Sequence, residues 1–400
     1  MHCLKLIKSY VDEIMKKPSF ATLAVHGGDQ HDAGHNAAFP PIYTASSFIQ
    51  TDLEQSADYG YSRVANPTRY AYESALAALE QGTYATATAS GMAATALALE
   101  LLTQNAHIIA MRGVYGGTHR LFEKLRRYNN GLTVDYVDLN DLAAIESVMQ
   151  DNTAMIWIET PTNPLLELVD IQQVCAFARR HGVLTCVDNT FATAWNQTPL
   201  TLGADLVMLS TSKYIGGHSD MIGGALITAD PELAKRIDFA KTTVGAIASP
   251  FDAYLALRGL KTLDLRMQRQ CDNALKVAQA LSGHSAIEAV YYPGLATHPH
   301  YALCQSQMRS GGAVVTIQLK GNRSDSQRFL SRLRYFILAE SLGGVESMIN
   351  HSASMSHGSM SETERQAMGV FDTTFRLSVG IEDSDDLIAD LLNALSAEPV

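Results

Sequence analysis

Short runs of valine, isoleucine and leucine, separated by helix-like stretches, recur through the first half of this chain and leave it few folds to choose from. They are HIIAM (107–111), LTVDYVD, TAMIWIE, VLTCVDN, ADLVMLS (204–210) and GGALIT (223–228). A strand apolar on both faces must be covered on both faces, and strands joined by helices run parallel. The pattern predicts an α/β domain with a mostly parallel sheet. The segments Arg69 to Glu80, Ala93 to Leu102, THRLFEKLRRY (118–128), DLAAIESVMQ and IQQVCAFARRHG have helical spacing between them. Phe251 to Leu281 reads as one long helix, bent near Gly259, that joins two domains. Beyond it a smaller α/β layer is expected, with strands IEAVYYP, GAVVTIQL and FRLSVG and a final helix DLIADLLNAL.

Composition removes several classes of function. With 400 residues the chain is long enough for two or more domains and a large core. A net charge of −11 and a pI near 5.6 argue against nonspecific binding to nucleic acid or anionic membrane. No apolar run is long enough to span a bilayer. Lys5, Lys8, Asp12, Glu13, Lys16 and Lys17 interrupt the first twenty residues, which read as an amphipathic extension rather than a signal peptide. The cysteines (Cys3, Cys175, Cys186, Cys271, Cys304) are scattered and lack CxxC spacing. They suit a reducing cytosol and read as buried hydrophobes, with no disulfide framework and no zinc site.

Polar residues then collect where strands are expected to end, which is where sites form in such sheets. STSKYIGGHSD (210–220) follows ADLVML and places Lys213 between hydroxyl residues and a glycine pair. Desolvation there would free its amine to condense with a carbonyl, and Ser210 and Ser212 could reach a phosphate. On its own, a lysine after a strand is usually just solvated. Asp188, in CVDNTF, ends another buried run. It either caps a turn or pairs with a cation such as a pyridinium nitrogen. TASGMAA (88–94) runs into an Ala-rich helix, so Gly91 opens either a plain N-cap or an anion site. ETPTNP (159–164) and RGVYGGT (112–118), the latter with Tyr115, occupy similar loops. GYSRVANPTR (60–69) places Tyr61 and Arg63 in an irregular segment, where Arg63 could clamp a phosphate. Arg376 lies inside the apolar strand FRLSVGIED. It needs an anion, either a substrate carboxylate or one of Glu382, Asp383, Asp385 and Asp386.

The segments YSRVANPTR, SGMAA, VYGGTHRLF, ETPTNP, VDNTF, STSKYIGGHSD, LRGLKTL, AESLGGVES and RLSVGIED together resemble the Cys/Met-metabolism family of pyridoxal 5′-phosphate (PLP) enzymes. That family includes cystathionine γ-synthase, the cystathionine γ- and β-lyases, methionine γ-lyase and the O-acylhomoserine sulfhydrylases. The likeness runs from about residue 21 to the C-terminal helix. It implies a type I PLP fold with a mostly parallel seven-stranded sheet. Residues 1–65 would form an extension and an arm contacting a neighbour, 66–259 the cofactor domain and 260–400 a C-terminal domain. The assembly would be a cytoplasmic homotetramer of two tight dimers acting on a small sulfur amino acid. Lys213 would be the Schiff-base lysine, Asp188 the pyridinium partner and Tyr115 the residue stacked on the ring and a candidate acid. Gly91, Met92, Ser210 and Ser212 would hold the phosphate, joined by Tyr61 and Arg63 from the neighbouring subunit. Asn163, Ser341 and Arg376 would orient the substrate carboxylate. Ser212 departs from the usual threonine but keeps the hydroxyl.

Within the family, Glu340 resembles the glutamate of γ-acting members, and Gly117 replaces the cysteine typical of methionine γ-lyases. PGLATHP (293–299) resembles the lyase branch. The resemblance implies a cystathionine lyase, with γ-elimination favoured, β-elimination open and γ-synthase the nearest alternative. A noncatalytic PLP-binding regulator would need a damaged set of motifs, and none is damaged.

Overall fold

The computed structural model of the protein describes residues 18–28, 35–53, 58–358 and 360–396. Most of the amphipathic extension, with Cys3, lies outside them. Seven strands form the larger sheet: β1 (Tyr84–Thr88), β2 (His107–Met111), β3 (Thr133–Val137), β4 (Thr153–Glu159), β5 (Leu184–Asp188), β6 (Leu206–Leu209) and β7 (Gly224–Thr228). Their order is β1-β7-β6-β5-β4-β2-β3. β3, β2, β4, β5 and β6 run parallel, and β7 is antiparallel to both its neighbours. The sheet is therefore mostly parallel, as expected. Six of its strands are the apolar runs. The seventh, YATAT, was not read as a strand, because alanine and threonine carry little apolar signal.

Alternation along β6 shows how the sheet is buried. Leu206 and Met208 join the core on one face, with the helix α2 (Gly91–Leu99). Val207 and Leu209 join the core on the other, with α1 (Pro67–Leu79) and α3 (Pro250–Leu260). Successive strand side chains point to opposite faces, so a strand between two helical layers must be apolar throughout.

The stretch expected to be one long helix is two: α3 ends at Leu260 and α4 runs Leu263–Leu281. Gly259 lies inside α3 rather than at the break. A Cβ there would sit 2.2 Å from the Ile215 carbonyl oxygen, so glycine is required for the segment after Lys213 to pack on the helix. α4 begins in the core under α3 through Leu263 and Met267 and ends against the second sheet through Ala274, Val277 and Leu281. The second sheet has five strands, ordered β10-β11-β12-β9-β8. β8 (Ile287–Tyr291), β9 (Val314–Leu319) and β12 (Thr374–Ser378) match the expected runs. β10 (Ile337–Leu338) and β11 (Met348–His351) lie outside the expected runs, the first being two residues long and the second carrying Asn350 and His351. α5 (Ser384–Leu395) packs on this sheet through Leu387 and Leu391.

Among the described residues, no helix is long and apolar enough to cross a membrane. No group of histidines, cysteines and acids there is arranged to hold a metal. Cys175, Cys186, Cys271 and Cys304 are free and buried, as expected.

Candidate active site

The parallel strands end along one edge of the larger sheet, and the loops there enclose a cavity of about 550 Å³. The residues come from segments far apart in the sequence. Gly91 and Met92 open α2, Tyr115 follows β2, Asp188 ends β5, and Ser210, Ser212 and Lys213 follow β6. Glu340, Ser341 and Arg376 arrive from the second sheet, and Asn163 from the loop after β4. Eleven of the thirteen site residues expected from the sequence thus line one space. Tyr61 and Arg63 do not: Tyr61 is 47% exposed, and both sit on the surface ahead of α1.

The lysine segment is rigidly held. Ser212 Oγ donates to the Gly223 carbonyl at 3.1 Å and accepts the Gly223 N–H at 3.0 Å. These two contacts fix the Ser212 side chain against Gly223 at the start of β7, and Ser210 and Ser212 both line the cavity. Buried Arg266 donates to the Tyr214 carbonyl at 2.6 Å and to the Gly259 carbonyl at 2.7 Å, tying the loop to α3. Lys213 Nζ donates to Ser341 Oγ at 2.9 Å. Burial first, and the nearby charge of Arg376 second, lower its pKa to about 8, with Glu340 partly opposing them. Ser341 takes φ +91°, a conformation that side-chain-bearing residues adopt only when their surroundings impose it.

Two carboxyls stand side by side at the strand ends, Asp188 in register with Glu159. Both are buried. Asp188 accepts the Thr190 N–H at 3.0 Å, and Thr190 Oγ1 accepts the Ser210 N–H at 2.8 Å, which locks the ends of β5 and β6 together. Glu159 accepts the Tyr115 N–H at 2.7 Å and so places the tyrosine loop. Burial raises both pKa values, and for Glu159 the neighbouring Asp188 raises it further. Neither acid has a cationic side chain as an ion-pair partner among the described residues. A protonated ring nitrogen would relieve this pair. Glu159 was not singled out from the sequence, although the strand-end argument used for Asp188 applies equally to it in TAMIWIE.

The phosphate end is built from a close backbone approach. A Cβ on Gly91 would lie 2.8 Å from Ser210 Cβ, so only glycine lets the start of α2 reach the β6 loop. Ser90 caps the helix by accepting the Ala93 N–H at 3.1 Å. First-turn N–H groups have no intrahelical acceptor and favour an anion.

Of the two kinds of anion open to Arg376, the internal salt bridge is absent among the described residues. Arg376 is buried, yet no acidic side chain pairs with it among the described residues. Glu382 instead accepts the Ser347 N–H at 2.6 Å, and Asp383 lies 3.8 Å from Arg269. Arg376 donates to Asn163 Oδ1 at 3.0 Å and to the Ser341 carbonyl at 2.7 Å, and its Nε has no partner. Its guanidinium also lies 5.9 Å from the Phe191 ring. Burial lowers its pKa to about 10. A buried guanidinium held only by neutral oxygens has room for a carboxylate. Glu340 reaches the same cavity and accepts from Asn350 Nδ2 at 3.3 Å.

A lysine amine of lowered pKa, a buried carboxyl pair, a helix-start anion cradle and a buried arginine with no acidic ion-pair partner among the described residues, all at the carboxyl edge of a doubly covered sheet, define an aldehyde-cofactor enzyme for an amino-acid substrate. The chain belongs to the Cys/Met metabolism PLP-dependent enzymes, whose family model matches residues 21–396. It is 45% identical to a cystathionine β-lyase of Coxiella burnetii, over 95% of this chain and 98% of the relative. It is 47% identical to a cystathionine γ-synthase of Mycobacterium leprae, over 94% and 96%. A solved cystathionine γ-lyase of Lactobacillus plantarum, complexed with L-serine, superposes with a TM-score of 0.91 at 43% identity, covering 94% of this chain and 98% of that one. The residues present fit PLP: Lys213 would take its aldehyde, Asp188 its ring nitrogen, Tyr115 its face, and Gly91, Met92, Ser210 and Ser212 its phosphate.

The amine gives a pH signature. Only the unprotonated amine condenses with an aldehyde, and its pKa is lowered from the ordinary 10.5 to about 8. The rate at which the apoprotein takes up PLP should therefore rise with pH and level off above about 8. Stopped-flow absorbance at several pH values checks this. A rate still climbing beyond pH 10 would contradict the desolvated site.

Proposed function

We propose that the protein is a cystathionine lyase that cleaves a carbon–sulfur bond of cystathionine, with γ-elimination as its main reaction and β-elimination as a lesser one. The observation that carries this reading is buried Arg376, with no acidic side chain within ion-pair distance among the described residues, lining the same cavity as Lys213. Arg376, Asn163 and Ser341 hold the substrate carboxylate, which sets Cα beside Lys213. Bound PLP supplies an electron sink for the charge left when Cα loses its proton. Lys213, whose amine is increasingly unprotonated from about pH 8 upward, would take that proton and then a second one from Cβ, so that the Cβ–H electron pair forms a bond to Cγ as the Cγ–S bond breaks. Tyr115, exposed to the cavity mouth, is the acid for the departing sulfur. Asp188 holds the positive charge of the ring nitrogen, and Glu340 lies where it can steer the distal part of the substrate.

A γ-synthase that joins cysteine to an O-acylhomoserine is the second reading, favoured by the 47% identical relative of that name. The working assembly in our reading is a cytoplasmic homotetramer of two active dimers, in which Tyr61 and Arg63 complete the phosphate site of the neighbouring subunit. Its working parts are an arm within residues 1–65, a cofactor domain of 66–259 and a C-terminal domain of 260–400.

Product analysis with cystathionine tests the reaction. We expect cysteine, 2-oxobutyrate and ammonia as the main products. Homocysteine with pyruvate in excess would make it a β-lyase. Absence of cleavage, with condensation of cysteine and an O-acylhomoserine, would make it a synthase.

A further inference from the structure

Two buried cations serve a surface loop rather than the protein core. Arg69 is 1% exposed and Lys241 is 4% exposed. Arg69 Nη1 donates to the Ser62 carbonyl at 2.9 Å, and its Nη2 faces the carbonyls of Arg63 and Val64 at 3.5 and 3.3 Å. Lys241 Nζ donates to the same Val64 carbonyl at 2.9 Å and to Asp238 at 2.7 Å. The Tyr61 carbonyl accepts the N–H groups of Val64 at 2.9 Å and Ala65 at 3.1 Å. Asn66 Nδ2 donates to Ser62 Oγ at 3.1 Å and to the Tyr43 carbonyl at 2.8 Å. Each carbonyl from Tyr61 to Val64 is thus engaged.

The side chains of that segment are not engaged in the same way. Tyr61 is 47% exposed and Val64 44% exposed. Arg63 is exposed, with its guanidinium 5.5 Å from the Tyr61 ring and a hydrogen bond to the Thr242 carbonyl. Burying a charge costs several kcal/mol before its partners offset the cost. Surface loops are normally held by nothing so demanding. A backbone caged by buried cations, with its aromatic and basic side chains turned outward, is a loop shaped in advance for something outside the chain.

The same network reaches the site within the chain. Arg69 Nε lies 3.5 Å from Glu73 Oε1, and Glu73 accepts the Ala87 N–H at 2.8 Å. Ala87 lies on β1, which leads directly into the Gly91 turn.

We infer that Arg69 and Lys241 are positioning residues that hold the Tyr61–Arg63 segment in the shape a second copy of this chain needs to complete its phosphate site. The inference rests on the reading that Tyr61 and Arg63 act in the neighbouring subunit. Arg69 contributes nothing to its own chain's cavity directly and works through the loop it cages.

Mixed oligomers test it. Lys213→Ala chains and Arg69→Met chains, with different tags, are co-expressed, and mixed assemblies are purified through both tags. A parallel pairing combines Lys213→Ala with Arg63→Ala. In a mixed pair one site joins an intact Lys213 to an intact loop from the other chain. Each variant alone is expected to turn over at least about tenfold more slowly than the wild type. The mixed assemblies are expected to recover up to about half of wild-type turnover, since one site of each symmetric pair is whole. Recovery in the Arg63 pairing without recovery in the Arg69 pairing overturns the inference and leaves the shared-site reading standing. Recovery in neither overturns both. If Arg69→Met does not accumulate as folded protein, Lys241→Met takes its place in the same pairing, and its failure to recover counts equally against the inference. Arg69→Lys, which keeps the charge and loses the fork, should lie between wild type and Arg69→Met in PLP affinity.

Discussion

Replacing Lys213 with alanine lowers turnover of cystathionine by about 10⁴-fold or more, since the variant loses both its covalent anchor for the cofactor and the base that moves the Cα proton. The fold should survive. The loop around position 213 is held by backbone and neighbouring side chains: Ser212 with Gly223, and Arg266 with the Tyr214 carbonyl. The lysine amine itself has one protein partner, Ser341 Oγ. The thermal midpoint should therefore move by only a few degrees, as for a substitution worth about 1 kcal/mol. Steady-state rates and a melting curve on the same preparation check both halves. Substantial residual turnover would remove Lys213 from its assigned role. Loss of activity together with unfolding would make it structural.

The second large effect concerns Arg376. Its guanidinium is buried, and its protein partners are the neutral oxygens of Asn163 and Ser341. Arg376→Leu removes the guanidinium that would pair with the substrate carboxylate in the cavity. Loss of one partner from a buried charged pair costs about 2–5 kcal/mol, or roughly 30- to 4,000-fold in kcat/KM. The carboxylate is bound alike in the ground state and the transition state, so most of the loss should fall on KM. Arg376→Lys keeps the charge but loses the two-pronged geometry, and should recover part of the affinity. Titration of initial rate against cystathionine gives the split. An unchanged KM would mean that the carboxylate binds elsewhere.

Much of this site is legible in the sequence, because the chemistry and the strand pattern coincide there. Lys213, Asp188, Ser210 and Tyr115 each follow or end an apolar run, and an α/β sheet gathers such ends along one edge. Glu159 satisfied the same criterion and was passed over, since its pairing with Asp188 depends on β4 lying beside β5. The β1 strand was hidden by its alanines and threonines. The bend expected near Gly259 is a full break two residues later, between α3 and α4, and Gly259 itself serves a close approach to the Ile215 carbonyl.

The amino-acid sequence by itself determined the class of sheet, the family and the residue types of the site, because hydrophobic period and motif spacing are local properties of the chain. Only the tertiary structure decided which alternatives hold. It showed that no acidic side chain lies within ion-pair distance of Arg376 among the described residues, that Ser212 is hydrogen-bonded to Gly223, and that Tyr61 and Arg63 stand on the surface, away from the cavity of their own chain. Those facts depend on contacts between residues up to 213 positions apart, as between Arg376 and Asn163. Burial and pairing are set by the packing of whole layers, and no local pattern carries that information.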